Sequence, residues 1–288
     1  MEFPVEVALA RAVPRLPTGD GWWYEIKFDG HRAVLWREAE TARVQARSGR
    51  DVTAVWLDLA LAAFHTLPPG TVLDGEAVIY RDGRVDFGAA QSRAASAPPR
   101  ARDLAERWPA TFAAWDILQH PVHGDVRGRP YSERRALLLD VLADVPPPIQ
   151  AVPATDDPTV AQVWYDTLHE QGIEGVVAKR ASSLYRSGRI WQKVRHAETV
   201  DAEVVGHTGP GARPRALVVE LPDGRRALSQ ALTAPLAAAV SAHIASAGPG
   251  RRVHARATGS YTTVSPGLTV EVLAGTTRHP VVTVTRVR

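Results

Sequence analysis

The 288-residue chain contains no cysteine. That absence excludes disulfides, thiolate metal sites and thiol nucleophiles, and it is compatible with a reducing cytoplasm. No apolar run approaches the ~20 residues that a membrane helix requires. The opening Met1-Glu2-Phe3-Pro4-Val5-Glu6 has no basic stretch followed by an apolar core, so no signal peptide is expected. The ten histidines show no metal-ligand spacing. His120-x-x-His123 lies in a Gly/Pro-rich segment and is expected to be solvated. There is no Ser/His/Asp signature and no Walker phosphate loop.

Lysine is also scarce. Lysine and arginine total 34, of which only Lys27, Lys179 and Lys193 are lysine and 31 are arginine. A compositional pressure has filled nearly every basic position with arginine, so the surviving lysines mark places where lysine chemistry is needed. Arginine stays protonated and attacks poorly, whereas a lysine amine can lose its proton beside other charge or in a buried site. Lysine is also a compact point charge suited to a phosphate. Each lysine sits in an alternating or apolar run: Glu25-Ile26-Lys27-Phe28-Asp29-Gly30, Glu174-Gly175-Val176-Val177-Ala178-Lys179 and Trp191-Gln192-Lys193-Val194-Arg195.

What remains is ordinary for a globular protein: 45% hydrophobic and 23% charged residues. The length suits two domains at about 150 residues each. A net charge of +3 is a mild basic excess, compatible with a nucleotide or nucleic-acid partner.

Along the chain, Trp22–Lys27 reads as a strand, Phe28-Asp29-Gly30-His31 as a tight turn, and Arg32–Trp36 as the returning strand. Lys27 therefore stands at a strand end, where a rigid element can hold a reactive group. Val44–Arg47 is a short strand. Thr53 is expected to cap a helix running to about Thr66. Val72–Tyr80 and Val85–Phe87 read as strands around Asp82-Gly83, and residues 92–102 as an exposed loop. Thr111–Leu118 is an apolar strand, and Ser132 is expected to cap the next helix. Ile149–Val152 is a strand. Asp157-Pro158 starts a helix that Gly172 ends. Gly175–Lys179 and Trp191–Arg195 are strands. Beyond His196 come five short strands, Val200–Val205, Ala216–Leu221, Arg226–Ser229, Val253–Thr258 and Leu268–Leu273, with one helix over Ala234–Ala247. That pattern predicts a small β-barrel of OB-fold type.

Four segments fall in a fixed order: Lys27-x-Asp29-Gly30-x-Arg32, Asp74-Gly75-Glu76, Glu174-Gly175-Val176-Val177-x-Lys179 and Trp191–Arg195. Together they resemble the motifs of the covalent nucleotidyltransferases: DNA ligases, RNA ligases and capping enzymes. All three lysines fall on motif positions. Within that superfamily the chain resembles the ATP-dependent DNA ligases, especially the ligase module of bacterial end-joining enzymes. Arg47-Ser48-Gly49-Arg50-Asp51-Val52-Thr53, Phe112–Leu118 and Arg278-His279-Pro280 carry this finer resemblance.

The resemblance implies an α+β fold. A nucleotidyltransferase (ATP-grasp-like) catalytic domain of mainly antiparallel sheets with flanking helices would span residues 1–196. An OB-fold-like barrel would span 200–288, with a hinge near 196–200. It implies sealing of 5′-phosphate/3′-hydroxyl nicks with ATP and Mg²⁺, through AMP carried on Lys27. Glu25 and its backbone would read adenine, Trp115 would stack on it, and Glu76 would hold the ribose or the metal. Arg32 and Arg47 would grip ribose, phosphate and the nick terminus. Lys179, Lys193 and Arg195 would neutralise the α-phosphate. Glu174, with Glu76 and Asp29, would serve Mg²⁺, which favours a few carboxylates plus phosphate oxygens. The implied partners are nicked or broken double-stranded DNA and end-joining or repair proteins. The enzyme is expected to be a cytoplasmic, nucleoid-associated monomer with no membrane contact. The alternatives are an RNA ligase, a capping-type guanylyltransferase, or a non-catalytic DNA-binding derivative.

The chain departs from the family pattern at several points. Ala46 and Ser48 replace serine and asparagine, Arg195 replaces a lysine, and the Tyr185–Ile190 loop is short. The family's final Arg-x-Asp-Lys becomes Arg286-Val287-Arg288, without the aspartate, so slower self-adenylation is expected. With no additional N-terminal DNA-binding domain, the two domains or partner proteins would have to encircle the duplex.

Overall fold

The structure is a computed structural model that describes residues 1–195, 198–248, 250–255, 258–274 and 281–288. Arg278-His279-Pro280, the junction at 196–197 where the expected hinge begins, and residues 256–257 lie outside the described residues. The chain divides into two compact units, Met1–His196 and Ala197–Arg288. No helix among the described residues is long and apolar enough to cross a membrane.

The first unit holds two sheets. Its strands are β1 (Ala8–Ala12), β2 (Trp22–Phe28), β3 (His31–Arg37), β4 (Ala42–Ala46), β5 (Thr71–Arg81) and β6 (Arg84–Val85). They continue with β7 (Ala110–His120), β8 (Gly124–Asp125), β9 (Ile149–Ala151), β10 (Ala154–Thr155), β11 (Ile173–Arg180) and β12 (Gly188–Arg195). One sheet has the order β1-β12-β11-β2-β10, and the other β4-β3-β5-β7-β8 with β6 beside β5 and β9 beside β7. The β2–β3 turn at Asp29-Gly30 passes the chain from the first sheet to the second.

Helices cover the outer faces. Helix α1 (Leu57–Thr66) buries Leu59, Ala60 and Ala63, and α4 (Tyr131–Leu142) buries Leu138 and Leu142. These side chains join Leu35, Leu73, Trp56, Phe112 and Ile117 in one core. Helix α5 (Pro158–Thr167) sets Ala161 against Trp22, Tyr24, Val176 and Ala178, the apolar face of the first sheet.

Several local readings need correction. Residues 92–102 are not one loop: 92–94 end α2 (Phe87–Ala94), 98–102 open α3 (Pro98–Arg107), and only 95–97 connect them. Asp86 ends the preceding strand early because its carboxylate caps α2 at Ala89 N–H, and Pro98 supplies the fixed φ that opens α3. Thr53 does not cap α1: its hydroxyl accepts from Val44 N–H, and the helix begins at Leu57. Ser132 lies inside α4, whose N-cap is Pro130. His120 is buried, its Nδ1 accepting the N–H groups of Val122 (3.1 Å) and His123 (3.3 Å). Burial, and then the neighbouring His123, holds its pKa below the ordinary histidine value.

In the second unit the strands are β13 (Glu198–Thr208), β14 (Ala216–Glu220), β15 (Arg226–Ser229), β16 (Arg252–Ala255), β17 (Gly259–Thr263), β18 (Thr269–Ala274) and β19 (Val281–Val287). The order β14-β15-β19-β18-β13 closes on itself because β13 also pairs with β14. That ring is a five-stranded barrel, and β17 and β16 extend beyond β13. Helix α6 (Ala234–Ser246) packs Val240 and Ile244 onto Val204, Leu217, Val219, Val270 and Val272. Two strands, β17 and β19, go beyond the five expected.

Gly75 sits mid-strand where β5 passes β7 very closely. A Cβ there would lie 2.5 Å from the Ala113 carbonyl oxygen and 2.6 Å from the Phe112 ring. Gly75→Ala therefore overpacks the sheet. It is expected to cost about 1–3 kcal/mol, read as a lower urea midpoint at unchanged slope.

Candidate active site

Strand alternation arranges the first sheet into two faces. Trp22, Tyr24 and Ile26 of β2 face the apolar side, which leaves Trp23, Glu25 and Lys27 on the other. On β11, Val177 pairs with Glu25 and Gly175 with Lys27. On β12, Lys193 pairs with Val177 and Arg195 with Gly175. One sheet face therefore carries Glu25, Lys27, Lys179, Lys193 and Arg195 in adjacent rows.

Glu174 joins this face through a β-bulge. Ile173 pairs with Phe28 and Gly175 with Lys27, so Glu174 is the extra residue on β11. Gly175 has φ +153°, and a Cβ there would collide with the Val194 carbonyl. The Glu-Gly sequence is thus the chemistry that the bulge requires. The bulge aims the Glu174 carboxylate at two cations: Oε2 receives the Lys27 ammonium, and Oε1 receives Arg195 Nη1 at 3.1 Å. Burial alone would raise the Glu174 pKa, but Lys27 and then Arg195 hold it below the ordinary glutamate value. Lys193 lies close by. Its pKa is lowered by burial, then by the like charges of Lys27 and Arg195, with a smaller push from Arg47. Arg47 itself is exposed.

Lys179 is the most enclosed of the three lysines, at 1% exposure. Its Nζ donates to Glu25 Oε2 at 2.8 Å and to the Trp115 carbonyl at 2.9 Å. It also lies 4.8 Å from the Tyr131 ring centroid and 4.3 Å from that of Trp191. Burial lowers its pKa despite Glu25 and Asp116, which raise it. The Glu25 carboxylate is fully occupied, holding Lys179 on one oxygen and receiving the Tyr131 hydroxyl on the other.

The second sheet supplies the facing groups. Asp74 pairs with Asp116 and Gly75 with Ala114, so Trp115 is the extra residue of a second bulge. Arg32 donates Nε and Nη2 to the two oxygens of Asp74, both at 2.7 Å, and Nη2 to Ala8 O at 3.0 Å. Burial opposes its charge, but Asp74 holds the guanidinium pKa above the ordinary value. Its plane lies 4.4 Å from the Trp115 ring centroid. Tyr185 adds its hydroxyl to Asp74 at 2.7 Å. Glu76 accepts the Gly30 N–H at 3.1 Å. Asp29 is buried in the turn.

The structure thus brings Lys27, Glu174, Lys193 and Arg195 together, and Glu25 with Lys179. It does not assemble the expected three-carboxylate metal set. No group of three or more His, Cys, Asp or Glu side chains converges among the described residues. Glu174 is claimed by two cations and Glu76 by a backbone N–H. By donor chemistry the residues suit a divalent ion only where substrate oxygens complete its shell. Sequence reasoning gave no role to Asp74, Asp116, Tyr131, Arg134, Tyr185 or Trp191. Their partners are distant in sequence, as with Tyr131 and Glu25, and no local spacing announces such pairs. In the barrel, Arg286 reaches Glu271 at 3.0 Å, and Arg288 reaches Asp201 at 2.8 Å and Glu271 at 2.7 Å. Carboxylates from β13 and β18 therefore neutralise the two C-terminal arginines, whose motif lacks its own aspartate.

An α+β unit built from two antiparallel-rich sheets, together with a closed five-stranded barrel, is the architecture of the nucleotidyltransferase/OB-fold ligases. A family model described as ATP dependent DNA ligase domain matches residues 8–195, and the chain belongs to that family. It is similar to DNA ligase C2 of Mycolicibacterium smegmatis, with 38% identity over 205 residues, covering 71% of this chain and 57% of that protein. DNA ligase C of Mycobacterium tuberculosis is 37% identical over 209 residues, covering 71% and 58%. The chain thus spans somewhat under three fifths of the length of these relatives. Among solved structures, mycobacterial DNA ligase D complexed with ATP and MES superposes with a TM-score of 0.55 at 25% identity, covering 98% of this chain and 94% of that one. A Lig E DNA ligase described as a minimal DNA-binding scaffold shares the fold, with a TM-score of 0.60 at 21% identity, covering 99% and 100%.

The Glu174 pairing has a pH signature. Its folded-state pKa is depressed, so the pairing stabilises the protein above the ordinary glutamate range and is lost as pH falls through the depressed value. Glu174→Gln is expected to melt several degrees below the parent at neutral pH. The gap should close below about pH 4, as followed by melting temperature across pH.

Proposed function

We propose that this chain is an ATP-dependent DNA ligase that seals 5′-phosphate/3′-hydroxyl nicks through a lysine–AMP intermediate on Lys27. Family membership supports the reading, and one observation carries it. Lys27, partly open to solvent, stands at a strand end beside Glu174, Lys193 and Arg195. A nucleophilic amine next to fixed positive charge is what attack on a polyphosphate requires.

In the first step Lys27 gives its ammonium proton to solvent, and the amine Nζ then attacks the α-phosphorus of ATP. The N–P bond forms, the α–β anhydride bond breaks, pyrophosphate leaves with the electron pair, and a further amine proton passes to solvent. Glu174 is held ionised, so it orients the amine rather than accepting its proton. Lys193, whose charge is disfavoured beside Lys27 and Arg195, gains once Lys27 loses its charge and an anionic phosphoramidate takes its place. That differential favours the product side of the step. Next, a DNA 5′-phosphate oxygen displaces Lys27 and takes the AMP. Finally the 3′-hydroxyl attacks the 5′-phosphorus, AMP leaves, and the hydroxyl proton is released.

Other side chains position the substrate. Trp115 stacks the purine, with Arg32 bracing one indole face. The carboxylate of Glu25 is committed to Lys179 and Tyr131, so base reading falls to its backbone. Glu76 serves the ribose hydroxyl, Arg47 serves the nick terminus, and Lys179 serves the α-phosphate. Mg²⁺ would be held by Glu174 with phosphate oxygens and would neutralise further polyphosphate charge. Nicked or broken duplex DNA is the substrate, and end-joining or repair proteins are the partner class. Residues 1–196 act as the adenylation domain and 200–288 as the OB-fold domain.

Incubation with Mg²⁺ and α-labelled ATP or GTP, followed by nicked DNA, tests the reading. The expected result is a labelled protein with ATP, absent in Lys27→Ala, and discharged by nicked DNA into a sealed product. Labelling with GTP would instead mark a capping-type enzyme, and sealing of RNA alone an RNA ligase. DNA binding without any label or sealing would mark a non-catalytic module.

A further inference from the structure

Helix α4 delivers two side chains, one turn apart, into the wall behind the site. Tyr131 donates its hydroxyl to Glu25. Arg134 donates Nε to Asp116 Oδ1 at 2.7 Å and Nη2 to Oδ2 at 2.9 Å. Both carboxylates face Lys179: Glu25 at 2.8 Å and Asp116 at 3.9 Å. Tyr131 and Arg134 are fully buried, and Arg135 of the same helix turn is held on the Val152 carbonyl at 2.6 Å. The two carboxylates balance Lys179 and Arg134, and the buried Arg135 adds one further positive charge beside Tyr131. Trp23 packs edge-on against the Tyr131 ring at 6.2 Å, which fixes the phenol under the Lys179 ammonium.

We propose that Tyr131 is a positioning residue whose hydroxyl shares the Glu25 carboxylate with Lys179, and so sets how tightly that lysine is held back from the substrate phosphate. The inference rests on the ligase reading for its kinetic consequence, but not for its structural one. Asp116 already has Arg134 as its own partner and makes little demand on Lys179. Glu25 is held by Lys179 on one oxygen and by the phenol on the other. With the hydroxyl in place, part of its charge is satisfied without the lysine, and the carboxylate is not stranded when Lys179 turns toward phosphate. An unpartnered buried carboxylate is the costly state that the hydroxyl averts. Without the hydroxyl, Glu25 loses the donor on its second oxygen and grips Lys179 harder. A phenylalanine keeps the ring against Trp23 and under Lys179, so it separates this role from packing.

The chain has only three lysines, so ¹³C/¹⁵N-lysine labelling of the whole protein gives three side-chain signals that single Lys→Arg variants assign. In Tyr131→Phe the Lys179 titration is expected to move to higher pH, and in Glu25→Gln to lower pH. The Lys27 and Lys193 titrations should stay in place in Tyr131→Phe. Self-adenylation of Tyr131→Phe is expected to slow about ten-fold, equivalent to roughly 1.4 kcal/mol of barrier, with its alkaline limb moved upward. An unchanged Lys179 titration in a folded Tyr131→Phe protein overturns the proposal, whatever happens to its melting temperature. If the parent protein takes no label from ATP, the ligase reading fails on its own, and the titration still decides this inference.

Discussion

The alternation of side chains across β2, β11 and β12 is the constraint on which the site depends. One face of these strands must be apolar to receive α5, so the other is free to carry charge. Register then places Glu25, Lys27, Lys179, Lys193 and Arg195 on that one face. Regular pairing alone would point Glu174 to the wrong side. The bulge at Glu174-Gly175 corrects this, and the matching bulge at Trp115 turns its indole and frees its carbonyl for Lys179. Two one-residue irregularities thus convert a pair of ordinary sheets into a charged cleft. Each is tied to a glycine, Gly175 and Gly75, whose missing Cβ lets the neighbouring strand come close.

So much buried charge is tolerated because four of the buried carboxylates each have a cation as partner, two of them with a hydroxyl besides. Glu25 has Lys179 and Tyr131, Asp116 has Arg134, Asp74 has Arg32 and Tyr185, and Glu174 has Lys27 and Arg195. Buried pairs of this kind add little net stability, yet removing one partner typically costs about 3–5 kcal/mol. The network is therefore better understood as fixing geometry than as holding the fold together, which the apolar clusters under α1, α4 and α5 do. It also sorts the lysines by freedom. Lys27 and Lys193 are partly open to solvent, while Lys179 is enclosed.

Much of this was legible in the sequence, and the reasons differ by element. Lys27 beside an Asp-Gly turn, and Gly172 as a helix end with φ +81°, follow from short-range rules that tertiary packing did not override. The segment 92–102 misled because its Ser, Pro and Arg residues favour loops. The decisive features are the Asp86 cap, Pro98 at a helix start, and the burial of Arg93 against Asp58. Arg93 is an arginine that works as a core residue, which composition cannot reveal. Strand β17 was missed for a related reason: a short polar strand such as Gly259–Thr263 owes its existence to the ladder it joins, whereas β19, with Val282 and Val284 buried in a β-branched run, carries a strand pattern in its own sequence. The partners Asp74–Tyr185 and Glu25–Tyr131 lie 111 and 106 residues apart, beyond any local pattern.

The scarcity of lysine acquires a physical meaning in this setting. Arginine serves wherever a fork can match a carboxylate, as at Arg32 on Asp74 and Arg134 on Asp116, and where a charge sits at the rim, as at Arg195. On the proposed ligase reading it could not serve at the three surviving lysine positions. At Lys179 the cation is wrapped by the Tyr131 and Trp191 rings, and a compact ammonium that meets Glu25 through one oxygen can leave it where a bidentate fork would stay. At Lys193 the charge is disfavoured by its neighbours, and only an amine can respond to their loss by holding its proton more firmly. At Lys27 the proposed reaction requires the group itself to form a bond. The three positions thus demand three properties of one functional group: release, titration and nucleophilicity. None of the three is within the reach of a guanidinium.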